Sequence, residues 1–513
     1  MNRPAWILIV AILAVLATMH NLPAAERRTI VINPGEPQLF VDDLLIESSG
    51  GLERTLRQPK KDNDGNVPVI AITDEFGDLP ATHQANGTIV FDPKLRKWVM
   101  IAIGAALQLK GADRVRLYRY SSGDAMNWTR GDDGTPQRIS FDLYDPLSRT
   151  SASNTDVFCF CYDHNDPQHP YKGWLWFANW GQGREGIYYV VSRDGRQWQR
   201  GRQIMSYNSR TIEQDGWKLR GPSDVTTFYA DPISGRYLAL IKFTNVEPVG
   251  EGNRQRSRAY AFVDRLDEPL NMNRIQRVAL VPQAAENNGD MPHDEYYACT
   301  AWRYGSLWLG GLKVWHGKGD YPYSAAGSAF LKLVVSRDGL NWNKVPFRND
   351  HGIPEVWIPN GPEGGNGGKN DGGYITEFSQ GPLRIGDELI YYYGASSWGK
   401  NHAPGKRVTG GGIFRARLRP DGFVSVDAGT LTTRPLVCDG SNLSVNAVGP
   451  VQVELLDANA QPLGKTTLSG DSLAHEVRFD GRRLRDLAGD GQFQFQLRFA
   501  VGSGGRLYSF TIR

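Results

Sequence analysis

The 513 residues exceed what one ordinary hydrophobic core organises, and an apolar share of 40% with 14 Trp, 21 Tyr and 20 Phe is ample for several cores. A formal charge of +3, without a basic tract able to neutralise phosphates, argues against a nucleic-acid partner. Cys159, Cys161, Cys299 and Cys438 have neither CxxC spacing nor histidine-rich company, so no metal and no cofactor is expected.

The first 25 residues read as an export signal. Arg3 supplies the positive start, Ala5 to Met19 an apolar run, and Pro23, Ala24 and Ala25 the small residues before Glu26. The run is short for a membrane span, although a retained N-terminal anchor is the alternative. No later segment is long and apolar enough to span, so the mature chain is expected to be secreted or periplasmic, with no membrane contact.

Leu39 to Ile46 follows, an apolar strand carrying Asp42 and Asp43. From there a motif recurs: Ser122-Gly123-Asp124-Ala125-Met126-Asn127-Trp128, Ser192-Arg193-Asp194-Gly195-Arg196-Gln197-Trp198 and Ser336-Arg337-Asp338-Gly339-Leu340-Asn341-Trp342. The period is about 70 residues, with one copy degraded after Ala259 to Asp264 and one more period ending near Phe423. Hairpins interleave with the motif: Thr88–Pro93 into Trp98–Met100, Val157–Tyr162 into Trp174–Trp176, Thr226–Pro232 into Tyr237–Leu240, Thr300–Trp302 into Leu307–Leu309, and Leu383–Ile385 into Leu389–Tyr392. Two hairpins per period make a four-stranded sheet, and such sheets in series predict an all-β, five-bladed β-propeller over residues 26–430. The Ser-x-Asp element resembles the Asp-box of sialidases and related propeller glycosidases, where its role is structural. On a strand, Cys159 and Cys161 share one face near the upper limit for a bridge, and are read as buried free thiols.

Residues 431–513 alternate in twos through Leu443–Ala447, Val451–Leu456, His475–Phe479, Phe493–Phe499 and Leu507–Ile512, which predicts a small C-terminal β-sandwich.

A propeller brings the openings of its inner strands together at one channel mouth. The polar residues there are His83, Gln84 and Asn86, then Asn154 and Asp156, then Arg220, Ser223 and Asp224, then His293, Asp294 and Glu295, and finally Glu377 and Gln380. Converging carboxylates suit glycosidic bond hydrolysis, where one must be a protonated acid and another ionised. Asp42, Asp43, Asp156, Asp224, Glu295 and Glu377 are the acids available, and His83, His293 and His402 fit binding or structural roles. Trp357, Trp398 and Tyr374 read as loop residues able to stack on sugars or pack in a core.

The opening Leu39-Phe40-Val41-Asp42-Asp43-Leu44-Leu45-Ile46-Glu47, the repeated boxes, and Gly386-Asp387-Glu388-Leu389-Ile390-Tyr391-Tyr392-Tyr393-Gly394 followed by His402 resemble exported bacterial proteins similar to glycoside hydrolase families 32 and 43. The resemblance covers roughly residues 35–430 plus the sandwich. It implies a carbohydrate substrate and three catalytic carboxyls: Asp43 as base or nucleophile, Asp224 as orienter and Glu295 as general acid. Asp42, His83, Asn86, Asp156, Arg220, His293, Glu377, Trp398 and His402 would line the substrate site. The chain departs from the family 32 pattern: no Asn-Asp-Pro-Asn-Gly lies near Asp43, Glu295 precedes Tyr296 rather than Cys, and Pro222-Ser223-Asp224 replaces Arg-Asp-Pro. Two other readings stand beside the glycosidase: a non-catalytic sugar-binding propeller, and a sialidase-like enzyme needing a Tyr nucleophile and an arginine cluster drawn from Arg116, Arg220 and Arg303.

Overall fold

The computed structural model describes residues 29–71, 82–84, 89–105, 115–133, 137–141, 144–145, 150–151, 155–177, 185–206, 211–246, 255–270, 272–283, 289–317, 327–362, 371–396, 411–488 and 493–513. Within these the chain is nearly all β, with one α-helix, Leu484–Ala488, and two compact units: Thr55–Phe423, and Met1–Arg54 with Val424–Arg513.

In the larger unit, antiparallel strand groups succeed one another along the chain. The first contains Thr82–Gln84, Val90–Asp92, Lys97–Ala105 and Val115–Ser122. The second runs Thr155–Tyr162, Tyr171–Phe177, Gly186–Ser192 and Gln197–Ser206, with Ser140–Phe141 added in parallel at its outer edge. The third contains Thr227–Ala230, Tyr237–Asn245, Gln255–Val263 and Arg277–Leu280, extended by the hairpin Thr211–Gln214/Trp217–Arg220. The fourth contains Asp294–Cys299, Leu307–Gly317, Gly327–Ser336 and Trp342–Lys344. The fifth contains Tyr374–Phe378, Glu388–Ser396 and Gly411–Leu418, and its last strand pairs with Lys60–Lys61 and Ile70–Ala71 from the start of the unit. A single parallel pairing, Ala329 with Tyr374, joins the fourth and fifth groups.

Each group is too small to cover its own faces, so each buries them against the next. Val99, Ile101 and Leu117 meet Phe158, Phe160 and Trp198. Trp174 of the second group lies edge-on to Phe228 of the third. Leu238 and Tyr260 of the third pack on Tyr296, Trp308 and Trp342 of the fourth. Trp302 and Trp357 of the fourth meet Phe378 and Tyr391 of the fifth. Ile390, Tyr392 and Ile413 of the fifth return to Met100, Tyr118 and Tyr120 of the first.

The three Ser-x-Asp turns share one geometry. The Asp124 carboxylate accepts the Met126 and Asn127 N–H groups, Asp194 those of Arg196 and Gln197, and Asp338 those of Leu340 and Asn341, all at 2.7–3.1 Å. The following residue takes a left-handed φ: 57° at Ala125, 71° at Gly195, 80° at Gly339. The Trp198 and Trp342 indoles donate back to the carbonyls of Gly195 and Gly339.

In the smaller unit eleven strands share one hydrogen-bonded sheet network around one apolar core that includes Phe40, Val453, Phe499 and Phe510. The sequence reading gave the segment after residue 26 to the propeller. Instead, Ile30–Val31, Gln38–Leu39 and Ile46–Leu56 pair with Leu436–Val437, Arg506–Ile512 and Val424–Thr433. The physical reason is exposed edge backbone: the C-terminal strands leave ladder positions that this apolar N-terminal segment fills.

Candidate active site

Two of the three predicted carboxyls, in the third and fourth groups, share Lys242 as a neighbouring charge. Asp224 lies between Trp217–Arg220 and Thr227–Ala230. Its Oδ1 accepts the Val225 N–H at 3.0 Å and the Ser223 hydroxyl at 3.1 Å, and pairs with the ammonium of Lys242. Glu295 is the second residue of Asp294–Cys299, which pairs with Leu307–Gly317. Its carboxylate pairs with the guanidinium of Arg256. Lys242 and Arg256 come from adjacent strands of the third group, in register as Lys242 with Arg258 and Thr244 with Arg256.

The ring of Tyr297 ties these pairs together. Lys242 lies 4.7 Å from its centroid, Arg256 4.6 Å and Lys313 4.7 Å. Lys313 also stands 4.4 Å over Tyr374 and donates to the Thr376 carbonyl. The Asp224 side chain keeps 27% of its exposure and that of Glu295 only 5%, so Asp224 reaches solvent while Glu295 is buried. Burial pushes the Glu295 carboxyl above the usual glutamate range, with Arg256 and then Lys242 pulling back. Burial opposes the Arg256 charge, but Tyr297 and Glu295 more than offset it.

On the other face of the same strand, Asp294 Oδ1 meets His316 Nδ1 at 2.8 Å while its Oδ2 accepts the Met291 N–H at 2.9 Å. This fixes the turn before Glu295, where half-buried His293 has φ 71°.

Asp43 requires correction. The expected strand through it is a bend, where Asp42 Oδ1 accepts the Leu44 N–H at 3.1 Å as a short polar side chain closing a turn. Asp43 lies in the smaller unit, 78% exposed and paired with Arg54 at 2.5 Å, so it is no inner-strand residue of a first blade. Arg220 is exposed at a strand end. His83, Asp156 and Glu377 lie on the opening strands of the first, second and fifth groups, but their side chains fall outside the described residues. Asn86, Trp398 and His402 lie outside the described residues altogether. Trp357 and Tyr374 are buried strand residues rather than loop platforms. Arg303 is held by both oxygens of Asp231 at 3.0 Å and stacks on Trp308, a structural use of that arginine.

Sequence reasoning missed Lys242, Arg256, Tyr297, Lys313 and the Asp294–His316 pair. The signal for the lysines was there: Lys242 in Leu240-Ile241-Lys242-Phe243 and Lys313 in Gly311-Leu312-Lys313-Val314 are lone charges inside apolar strands. Among the described residues, no cluster of His, Cys, Asp and Glu could hold a metal ion.

No protein-family model and no curated protein matches the chain. Solved structures resemble it distantly. One is a glycoside hydrolase with 11% identity, covering 71% of this chain and 92% of that chain at a TM-score of 0.44. Another is a thermostable family-43 glycoside hydrolase with 12% identity, covering 69% and 94% at 0.41. A third belongs to the GH130 family of mannoside phosphorylases, which contains glycoside hydrolases that target β-1,2 mannosidic linkages in Candida mannan; it has 13% identity and covers 73% and 95% at 0.40. At such TM-scores these resemblances establish neither activity nor substrate for this chain.

Proposed function

We propose that the larger unit is a five-bladed β-propeller and a glycoside hydrolase, exported after removal of residues 1–25 and acting on a polysaccharide or oligosaccharide. The observation that carries this reading is the Glu295 carboxyl, buried, with its proton affinity raised by that burial, and sharing Lys242 as a neighbouring charge with the Asp224 carboxylate. Acid-assisted glycoside cleavage requires a carboxyl with raised proton affinity and a second, ionised carboxylate, and burial raises the proton affinity of Glu295 while Lys242 pairs with Asp224. Glu295 gives its proton to the glycosidic oxygen as the bond to the anomeric carbon breaks. The Asp224 carboxylate meets the positive charge that develops on the sugar ring, water adds to the anomeric carbon, and the proton that water loses returns to the Glu295 carboxylate. The strand groups, each packed on the next and the last on the first, support the propeller reading. Asp43 has no catalytic role in this proposal.

The test is a screen of polysaccharides and aryl glycosides with the wild type, Glu295→Gln and Asp224→Asn. Loss of the general acid is expected to slow hydrolysis by about 10²–10⁴-fold on substrates with poor leaving groups. Undiminished hydrolysis in both variants overturns the proposal. The pairing of both carboxyls with cations favours one second reading, a non-catalytic sugar site. Binding that survives both substitutions, with no hydrolysis by the wild type, would establish it.

A further inference from the structure

The strand that carries Glu295 is irregular. Tyr296 pairs with Val314 and Ala298 with Lys313, so Tyr297 is an extra residue, a β-bulge two positions beyond the acid. A bulge takes its residue out of the ladder and re-aims the side chains around it. Here it turns the Tyr297 ring toward Lys242, Arg256 and Lys313. Its carbonyl needs a donor from elsewhere, because a buried unpaired carbonyl is costly.

That donor is Arg258, a fully buried side chain of the third group. Its guanidinium reaches the Tyr297 carbonyl at 3.3 Å, the Val225 carbonyl at 3.0 Å and the Leu240 carbonyl at 3.0 Å. Val225 directly follows Asp224, and its N–H is bonded to the Asp224 carboxylate. One rigid, planar fork therefore grips the backbone beside one carboxyl and the backbone beyond the other, across two strand groups. The same device recurs one group further on. The fifth group's opening strand is irregular between Ile375 and Glu377, and the ammonium of Lys313 caps the Thr376 carbonyl there.

We infer that Arg258 is a positioning residue that sets the separation between the Asp224 and Glu295 carboxyl groups. This rests on those two carboxyls being the working pair. Separation is the quantity that matters, since carboxyl spacing decides the stereochemical course of glycoside cleavage.

The experiment compares crystal structures and kinetics of the full-length wild type, Arg258→Met and Arg258→Lys, with thermal melts to establish folding. A lysine offers one nitrogen where Arg258 uses two, Nη1 for Val225 and Tyr297 and Nη2 for Leu240. In Arg258→Met the distance between the two carboxyl carbons should change by more than about 0.5 Å, the tolerance a working site allows. An unchanged distance overturns the inference. On a substrate with a poor leaving group that the wild type cleaves, kcat should fall by about 100-fold while KM stays within about threefold, with Arg258→Lys in between. A raised KM with unchanged kcat also overturns it. If Arg258→Met does not fold, Arg258→Lys carries both readouts. A Glu295→Gln control separates the two ideas. Full activity in that variant removes the carboxyls from catalysis, while the structural comparison still decides whether Arg258 sets their spacing.

Discussion

Replacing Arg256 by methionine should move the alkaline limb of the activity profile upward. In the proposed mechanism Glu295 acts as a protonated acid, so the rate should fall as pH rises through its pKa. Burial already holds that pKa above the usual range, and the Arg256 guanidinium is the strongest influence pulling it down. In Arg256→Met the burial persists and the counter-charge is gone. A hydrogen bond to a charged partner contributes about 1.5–3 kcal/mol. At about 1.4 kcal/mol per pKa unit, the limb should climb by about 1–2 pH units. The assay is kcat/KM against pH on a substrate with a poor, non-activated leaving group, for wild type and variant side by side. An unmoved limb, or one displaced toward acid, would refute the assignment of Glu295 as the titrating acid.

Other consequences concern stability and reactivity. Lys332 is buried and shares Asp290 and Glu355 with Lys344 at 2.8–3.1 Å, so Lys332→Met should cost about 3–5 kcal/mol in urea unfolding of the larger unit. Burial raises the Asp290 pKa, but the two lysines depress it further, to a net lowering. Its contribution is therefore present above the ordinary aspartate range and lost as pH falls through its folded value, and the variant's acid limb should be flatter. Gly339→Ala would place a methyl group 2.8 Å from the Phe262 ring and 3.1 Å from Trp308, at a φ of 80°, and should cost about 1–3 kcal/mol in a thermal melt. Ala125→Gly, at the matching position of the first turn, should change stability by less than about 1 kcal/mol. Burial pushes the Cys161 thiol up to about 12 and that of Cys299 to about 11, so neither should react with an aromatic disulfide reagent at pH 8 until the protein unfolds.

The strands were legible because their signal is local. Thr226 to Leu240 alternates around Asp231-Pro232, and the hairpin Thr227–Ala230/Tyr237–Asn245 forms there. The Ser-x-Asp turns were equally plain, since the Asp338 carboxylate bonds within the motif, to the Ser336 hydroxyl, the Leu340 and Asn341 N–H groups and the Asn341 side chain. Asp43 misled for the opposite reason. Its neighbours Phe40, Val41 and Leu45 are buried as a strand's would be, yet the paired Asp residues end the strand in a turn. Which unit that segment joins depends on strands more than 380 residues away, such as Val424–Thr433, and no local pattern reports such a partner.

The site shows the same division between local and distant information. Glu295 could be picked out because a charge opens an apolar strand, but its neighbours give no hint of what sets its proton affinity. Burial raises it, and Arg256 and Lys242, which come from another strand group, pull it back. Lys242 is only 3% exposed, and a lone ammonium in that position would lose its proton or unfold the strand. It is tolerated because Asp224 neutralises it and the Tyr297 face receives it. Tyr297 sits at the bulge, and Arg258 donates to its carbonyl. The chain of dependence runs from an arginine with no surface exposure, through backbone, to the two carboxyls. A search limited to acids at strand openings finds its end and misses its beginning.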